Sequence, residues 1–293
     1  MTIWTSIAQC VINGVMIGGV YALVAVGLTL IFGVMGIVNF AQGEFFMMGM
    51  YLTWLIWRIS HASPYVLLIA VAPLMFLLGL VVYKRLIRRV VGKGDTMYIL
   101  LTIGLSILMQ NMALLIWTSD YYTVDHPIKA AAIHLGPLIV PTGRLVAFGA
   151  AILIVAILNY VLARTDLGRS MRAVAENPEV STLLGINPWS IAAISFGIGS
   201  ALAGIAGVLL SPLYYIYPTV GNLFGVTAFV VVVLGGMGCV VGALVGGLII
   251  GVVQALSGHF IALDLSSLGT FAIFLLVLFV KPNGLFGKGV AVK

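Results

Sequence analysis

The sequence predicts an all-α, polytopic membrane protein. Its single transmembrane domain covers residues 1–293 and has about eight or nine membrane-spanning helices. Hydrophobic residues make up 62% of the chain and charged residues only 8%, whereas roughly a quarter of the residues in a soluble domain are charged. The apolar residues form runs long enough to cross a bilayer. The 14 basic residues, which give a net charge of +6, lie mainly between those runs. Sparse positive charge confined to loops is a topology signal of membrane proteins and does not indicate nucleic-acid binding.

The two ends of the chain and its cysteines add little chemistry. Cys10 and Cys239 lie in apolar runs without metal-ligand spacing, so no disulfide framework is expected. The first six residues lack a basic region before the apolar stretch, which predicts a retained first span and not a cleaved signal peptide.

The first span, about residues 7–32, is followed by an unusual segment from Gly33 to Glu44. This segment contains no Lys or Arg, yet it holds Asn39, Gln42 and Glu44 between two apolar runs. Irregular backbone at membrane depth persists only where it is buried in protein or lines a cavity. We therefore expect a broken or re-entrant helix lining a translocation pathway. A short interfacial turn, with Glu44 at the start of the next helix, is the alternative.

The next two spans, at about 45–57 and 64–83, lead to a strongly basic loop. Residues 84–93 contain five basic residues, which places this loop on the cytoplasmic side. The fourth span, about 96–117, carries Gln110 and Asn111 well inside it. Amides in hydrocarbon must find partners, so they face either a neighbouring helix or a pathway. The mixed loop at 119–144 suits the external side.

The fifth span, about 145–163, returns the chain to the cytoplasm at a segment with its own helix signals. Residues 164–190 hold six of the 22 charged residues. Asp166 is a candidate cap for a helix over 167–176. Asn177-Pro178 restarts a second helix, and Gly185 is placed to close it in a left-handed conformation. Two punctuated helices exceed what a connector needs and predict a docking surface. Its candidate coupling residues are Arg169, Arg172, Glu176, Glu179 and Gly185.

The second half of the chain also contains an interruption. A span rich in small residues, about 191–210, is followed by a short external loop and an apolar run at 223–234 that is too short to cross alone. Gly235, Gly236 and Gly238 then break the pattern before the run at 239–256. Two interrupted segments in two halves suggest inverted repeats around a translocation site, to which we assign these glycines. A last span at about 266–280 precedes a basic cytoplasmic tail.

The chain lacks the signatures of an enzyme or of an ion-coupled carrier. There is no phosphate-binding loop, no Ser-His-Asp arrangement, and the four histidines lie far apart outside the spans. Glu44 and Asp264 are the only acids to consider within the apolar segments, whereas ion-coupled carriers usually need intramembrane ionisable groups. Energy is therefore expected to enter through a partner.

Several motifs together resemble a known family, the branched-chain amino acid permeases of ATP-binding-cassette importers, and specifically the shorter of the two paired permeases. The resemblance covers nearly the whole chain. Importer permeases share a Glu with a Gly six residues later, as at Glu179 and Gly185, although the usual two alanines are replaced by Val180 and Ser181. The motifs that carry it are Asn-Phe-Ala-Gln-Gly-Glu (39–44), Gln110-Asn111, Gly-Arg-Ser-Met-Arg-Ala-Val-Ala-Glu (168–176), Leu-Leu-Gly-Ile-Asn (183–187), Leu-Gly-Gly-Met-Gly (234–238) and Lys-Pro-Asn-Gly-Leu-Phe-Gly (281–287).

The resemblance implies a pore subunit in a bacterial cytoplasmic membrane, with no cofactor of its own. The implied partners are a second permease subunit, two ATP-binding subunits that bind the ATP, and an external substrate-binding protein. The implied solute is a small hydrophobic amino acid such as Leu, Ile or Val, with urea, short amides or other amino acids as alternatives. A passive channel or an ion-coupled carrier dependent on Glu44 or Asp264 remains a less favoured reading.

Overall fold

A computed structural model describes residues 3–129, 131–260 and 266–287, which form eleven α-helices and one β-hairpin. The predicted all-α class is confirmed. The helices are α1 (Ile3–Met35), α2 (Gln42–Ser60), α3 (Pro64–Arg85), α4 (Asp95–Trp117), α5 (Thr142–Arg164), α6 (Asp166–Glu176), α7 (Pro178–Leu183), α8 (Pro188–Leu210), α9 (Val220–Gly235), α10 (Val240–Phe260) and α11 (Ser266–Val280). The hairpin pairs β1 (Ala132–Leu135) with β2 (Leu138–Pro141). Asp264 lies outside the described residues.

Six helices are long and apolar enough to cross a bilayer: α1, α3, α4, α5, α8 and α10. The shorter apolar helices α9 and α11 and the more polar α2 complete the membrane domain. Helices α1 and α8 form its centre and are mostly buried, whereas α4 and α5 expose long apolar faces. The predicted span boundaries agree with the helices to within a few residues.

Contacts at the two ends of α1 indicate which side of the membrane each end faces. The sequence alone left the side of the N-terminus open. The Gln9 side chain exchanges two hydrogen bonds with the backbone of Ile139 in β2, at 2.6 and 2.8 Å. The other end of α1, at Gly33 and Val34, borders α6 residue Met171. Because the sequence analysis assigns both the basic loop and α6 to the cytoplasm, we expect the N-terminal end of α1 on the external side.

The backbone after α1 turns back into the molecule before α2 begins. Gly36 has a φ of 67°, and residues 37–39 have no regular structure. The Gln42 side chain then donates hydrogen bonds to the carbonyls of Val24, at 3.4 Å, and Gly199, at 3.0 Å. Val24 lies about 16 Å along the helix axis from Met35. Helix α2 therefore starts near the middle of the membrane domain, and the predicted broken helix is present at residues 36–41.

The second break is found at residues 211–219, not at Gly235–Gly238 as the sequence analysis expected. After α8 the chain re-enters the core, where Ser211 and Ile216 are fully buried, and α9 begins beside the start of α2. A Cβ on Gly221 would lie 2.5 Å from the Gly43 carbonyl oxygen. Residues 211–222 were predicted to form an external loop because they contain several tyrosines and no Lys or Arg, and burial of irregular backbone leaves no periodic signal in the sequence.

The two breaks belong to two units that run in opposite directions. Helices α1 and α2 correspond to α8 and α9, because in each pair a central helix is followed by a half-length helix that starts at mid-depth. The packing follows the same correspondence: α1 packs along α10, and its counterpart α8 packs along α3. Each half-helix also packs on the central helix of the other unit. The described helices therefore have the arrangement of an inverted repeat, but its second break lies at 211–219 and not at the glycines from which the sequence analysis inferred the repeat.

Candidate functional site

The segment from 164 to 190, which the sequence analysis assigns to the cytoplasmic side, folds as two short helices whose ends are set by local hydrogen bonds. Helix α6 is capped by Thr165, whose Oγ1 accepts from the Gly168 backbone N–H at 3.4 Å, so the expected Asp166 cap was one residue late. The Asn177 side chain accepts from the N–H groups of Glu179 and Val180 at 3.0 and 3.1 Å, which confirms the predicted start of α7.

Gly185 ends α7 as predicted. Its φ is 78°, a conformation that glycine adopts without strain. The Gly185 N–H bonds the Thr182 carbonyl and the Ile186 N–H bonds the Ser181 carbonyl, each at 3.0 Å. This paired arrangement satisfies the last carbonyls of the helix and turns the chain toward α8.

The charged candidates of this segment lie at its surface. Arg169 forms an exposed ion pair with Asp166, and the Arg172 guanidinium donates to the Leu162 carbonyl. Glu176 and Glu179 are also exposed. Beneath them, Met171 and Val174 are buried and hold α6 against the membrane helices. The segment is therefore anchored on one face and open on the other.

Sequence reasoning missed an apolar patch on the open face. Leu183 is 87% exposed, Leu184 71% and Val180 50%. Adjacent exposed apolar side chains at the end of a short helix are typical of an interaction surface. The adjacent Leu183-Leu184 pair in a polar stretch was the signal that would have identified it.

At mid-depth, the structure brings four of the predicted pathway residues to the junction of α2, α4 and α9. Asn39 donates from Nδ2 to the Gln42 Oε1 at 3.2 Å, and its Oδ1 accepts from the Ala41 N–H at 3.1 Å. Glu44 accepts at Oε1 from the Gln110 Nε2 at 2.7 Å. Asn39, Gln42 and Glu44 are almost completely buried. Asn39 and Gln42 thus fix the break, whereas Glu44 links α2 to α4.

Two further polar residues in this cluster were not predicted. The Ser106 hydroxyl donates to the Glu44 Oε1 at 3.1 Å, and the Gln110 Nε2 also donates to the Asn222 Oδ1 at 2.7 Å. Asn222 was assigned to an external loop, so its place in the first turn of α9 depended on the unrecognised second break. Ser106 lies one helical turn before Gln110, a spacing that a search for polar neighbours on α4 would have found.

Asn111 and the three glycines lie apart from the mid-depth cluster. Asn111 is exposed on α4 and donates to the Ile107 carbonyl of its own helix at 2.8 Å. Gly235, Gly236 and Gly238 form the turn between α9 and α10, where the N–H groups of Leu285 and Phe286 bond the carbonyls of Leu234 and Gly235 at 2.8 and 3.1 Å.

The glycine turn borders a cavity near the cytoplasmic end. Gly236 and Gly238 have φ values of 103° and 83°. Gly238 lines the cavity of about 350 Å³, together with Gly33 and Arg172. The turn therefore lies next to α6, at a distance from Glu44 along α9.

Comparison with known proteins gives a consistent result over almost the whole chain. The family model described as "Branched-chain amino acid transport system / permease component" matches residues 10–278. The chain is 32% identical to the high-affinity branched-chain amino acid transport system permease protein BraD of Pseudomonas aeruginosa, over 96% of this chain and 95% of the relative.

Two further relatives have the same coverage of 96% and 95%. They are the permease protein LivH of Escherichia coli K12, at 31% identity, and LivH of Salmonella typhimurium, at 33%. No solved structure matches this chain.

Proposed function

We propose that this chain, which belongs to the family of branched-chain amino acid transport system permease components, forms one pore subunit of an importer. The importer is driven by ATP, depends on a binding protein and takes up branched-chain amino acids. Members of this family are multi-pass inner-membrane subunits and not enzymes. The observation that carries this proposal is the family match over residues 10–278. The inverted repeat supports it, since such repeats around half-length helices are typical of transporters.

The cytoplasmic segment 164–190, with its two capped helices α6 and α7, supports energy input through separate ATP-binding subunits. In this proposal, two such subunits bind the ATP, and each docks on a permease. The apolar residues Val180, Leu183 and Leu184 enter a cleft of the partner, as an exposed helix docks into a groove. The surrounding coupling residues are Arg169, Arg172, Glu176, Glu179 and Gly185. Closure of the ATP-binding subunits then moves the membrane helices as rigid bodies.

Exposed amides at mid-depth support the position of the pathway. Asn222 is exposed on α9 and accepts a hydrogen bond from the half-buried Gln110 on one outer face of α4, and Asn111, also exposed on α4, lies apart from this pair. Polar groups in the middle of a membrane helix are costly against lipid and normally face a partner or a water-filled path. We infer that a second permease subunit covers this face and that the pathway runs between the two.

The remaining predicted pathway residues lie at different depths in the proposed pathway. Asn39 and Gln42 stabilise the first break behind Glu44. Gly235, Gly236 and Gly238 bound the cytoplasmic end, where Gly238 lines the inner cavity. An external binding protein delivers the solute at the opposite side. Alternating access follows if the two inverted units tilt against each other.

The proposal is tested by purifying the chain from its native membrane with its associated subunits and reconstituting the complex in liposomes. We expect an ATP-binding subunit and a second permease to copurify, and leucine uptake to require ATP and a binding protein. Uptake of urea, short amides or other amino acids instead of leucine would contradict the assigned substrate. Solute flux through the isolated chain without ATP would contradict the importer mechanism.

A further inference from the structure

One oxygen of Glu44 has no hydrogen-bond partner although the residue is only 2% exposed. Oε1 accepts from Ser106 and Gln110, but Oε2 accepts from no described residue. A buried carboxylate oxygen without a partner carries a large desolvation cost. Such a group in a folded protein calls for an explanation, most simply a ligand that the oxygen accepts from.

The unpaired oxygen belongs to a residue that lines a small cavity with one polar end. The cavity has a volume of about 130 Å³ and lies between the starts of α2 and α9. Asn39, Glu44 and Asn222 form its polar lining, and apolar walls come from Leu28, Phe40 and Phe229. The Phe40 and Phe229 rings contact each other, with centroids 5.9 Å apart. The cavity therefore suits a small molecule with one polar group and an aliphatic remainder.

The cavity has a negative group but no cation of its own. Among the described residues that line it, none is Lys, Arg or His. Glu44 lies in the first turn of α2, and a Cβ on Gly221, in the first turn of α9, would lie 2.8 Å from its Oε2. Two helix N-termini thus stabilise negative charge at this point. The partial charges of the helix ends are positive and offset part of the carboxylate charge, so the attraction for a positively charged ligand comes from Glu44 alone.

The oxygen inventory distinguishes an ammonium group from a metal ion. Hard divalent cations take about six or more oxygen ligands. Here Asn39 Oδ1 already accepts from Ala41, and Asn222 Oδ1 accepts from Gln110, which leaves Glu44 Oε2 as the free charged acceptor. A primary ammonium needs fewer acceptors, and the apolar walls contact the chain attached to it.

We propose that the Glu44 carboxylate binds the primary ammonium group of the transported solute at mid-depth, while the aliphatic part of the solute packs against Leu28, Phe40 and Phe229. This inference rests on the proposed function, because it assigns to a permeating amino acid a contact inside the permease. Glu44 would neutralise the positive end of the solute where the surrounding dielectric is low.

The first experiment measures occupancy of the cavity without relying on transport. The purified complex is treated with dicyclohexylcarbodiimide, which labels carboxyl groups in apolar surroundings, and labelling of Glu44 is followed by mass spectrometry. At saturating concentration, 3-methylbutylammonium is expected to slow labelling about tenfold by mass action, whereas the neutral 3-methylbutan-1-ol is not. Equal protection by the alcohol, protection by Na⁺ alone, or no protection by the ammonium overturns the proposal.

The second experiment uses Glu44→Gln in the reconstituted complex. This change keeps an oxygen to accept from Ser106 and Gln110 but removes the charge that faces the ammonium. Leucine uptake is expected to fall about tenfold or more while stimulation of ATP hydrolysis by the loaded binding protein persists. Gly149→Ala, on an outer face of α5 with no atom within 4 Å of the added Cβ, is the control that leaves uptake unchanged.

The two experiments separate failure of this inference from failure of the proposed function. If the wild-type complex imports leucine and Glu44→Gln imports it equally well, the ammonium site is overturned and the importer stands. If the wild-type complex imports no leucine, the importer proposal fails. Ammonium-specific protection of Glu44 from labelling still supports the binding site in that case.

Discussion

Removal of the Asn177 cap tests whether a preformed α7 is required for coupling. Asn177→Ala deletes the acceptor for the N–H groups of Glu179 and Val180, while the rest of α7 is unchanged. Loss of such a cap costs about 1 kcal/mol, with a range of roughly 0.5–2 kcal/mol. Because α7 has only six residues, it has little other helical stability to offset this loss.

The cost is expected to appear as weaker docking of the ATP-binding subunit. A partner that binds only the ordered helix loses affinity in proportion to the ordered fraction, and 1 kcal/mol corresponds to about a fivefold increase in Kd. The assay titrates purified ATP-binding subunit against the permease in nanodiscs. Asn177→Ser, which retains a good capping group, should restore wild-type affinity. If the alanine and serine variants bind equally well, α7 is not a preformed docking element.

Three other predictions concern docking and the central junction. Leu183→Ser should weaken binding of the ATP-binding subunit about tenfold in the same titration, with no change in the melting temperature of the permease alone, because this side chain is exposed. Glu179→Lys should leave folding and membrane insertion intact but reduce leucine uptake per ATP hydrolysed, and unchanged coupled uptake would argue against a docking role. Gly221→Ala should lower the melting temperature in detergent, because its Cβ would overlap the Gly43 backbone at 2.5–2.7 Å, whereas Gly104→Ala has open space and should not. Equal melting temperatures for the two glycine variants would mean that the junction can relax.

Sequence reasoning succeeded where local chemistry determines structure. The cap at Asn177 and the left-handed Gly185 were predictable, because each depends on residues within one turn. The first break was predictable because Asn39, Gln42 and Glu44 are polar residues within an apolar region. These signals need no knowledge of the tertiary structure.

The same reasoning failed where long-range packing determines the structure, as at the second break. The re-entry of residues 211–219 is stabilised by burial against other helices and by pairing of Ile216 with Tyr122, at 2.8 and 2.9 Å, and neither leaves a local pattern. Gly235–Gly238 carried a stronger break signal, yet it forms an ordinary turn between two helices. The site was consequently incomplete, because Asn222 reaches Gln110 only through the second break.

The contact between Gly43 and Gly221 has a mechanical consequence for the two units. Backbone meets backbone at this point, and beside it Phe46 of α2 stacks on Phe224 of α9 with ring centroids 4.1 Å apart. Interlocked side chains must change rotamers before two helices can slide, whereas a smooth contact acts as a pivot. The two units can therefore tilt about this contact in the middle of the membrane domain, and their outer ends undergo the largest displacements.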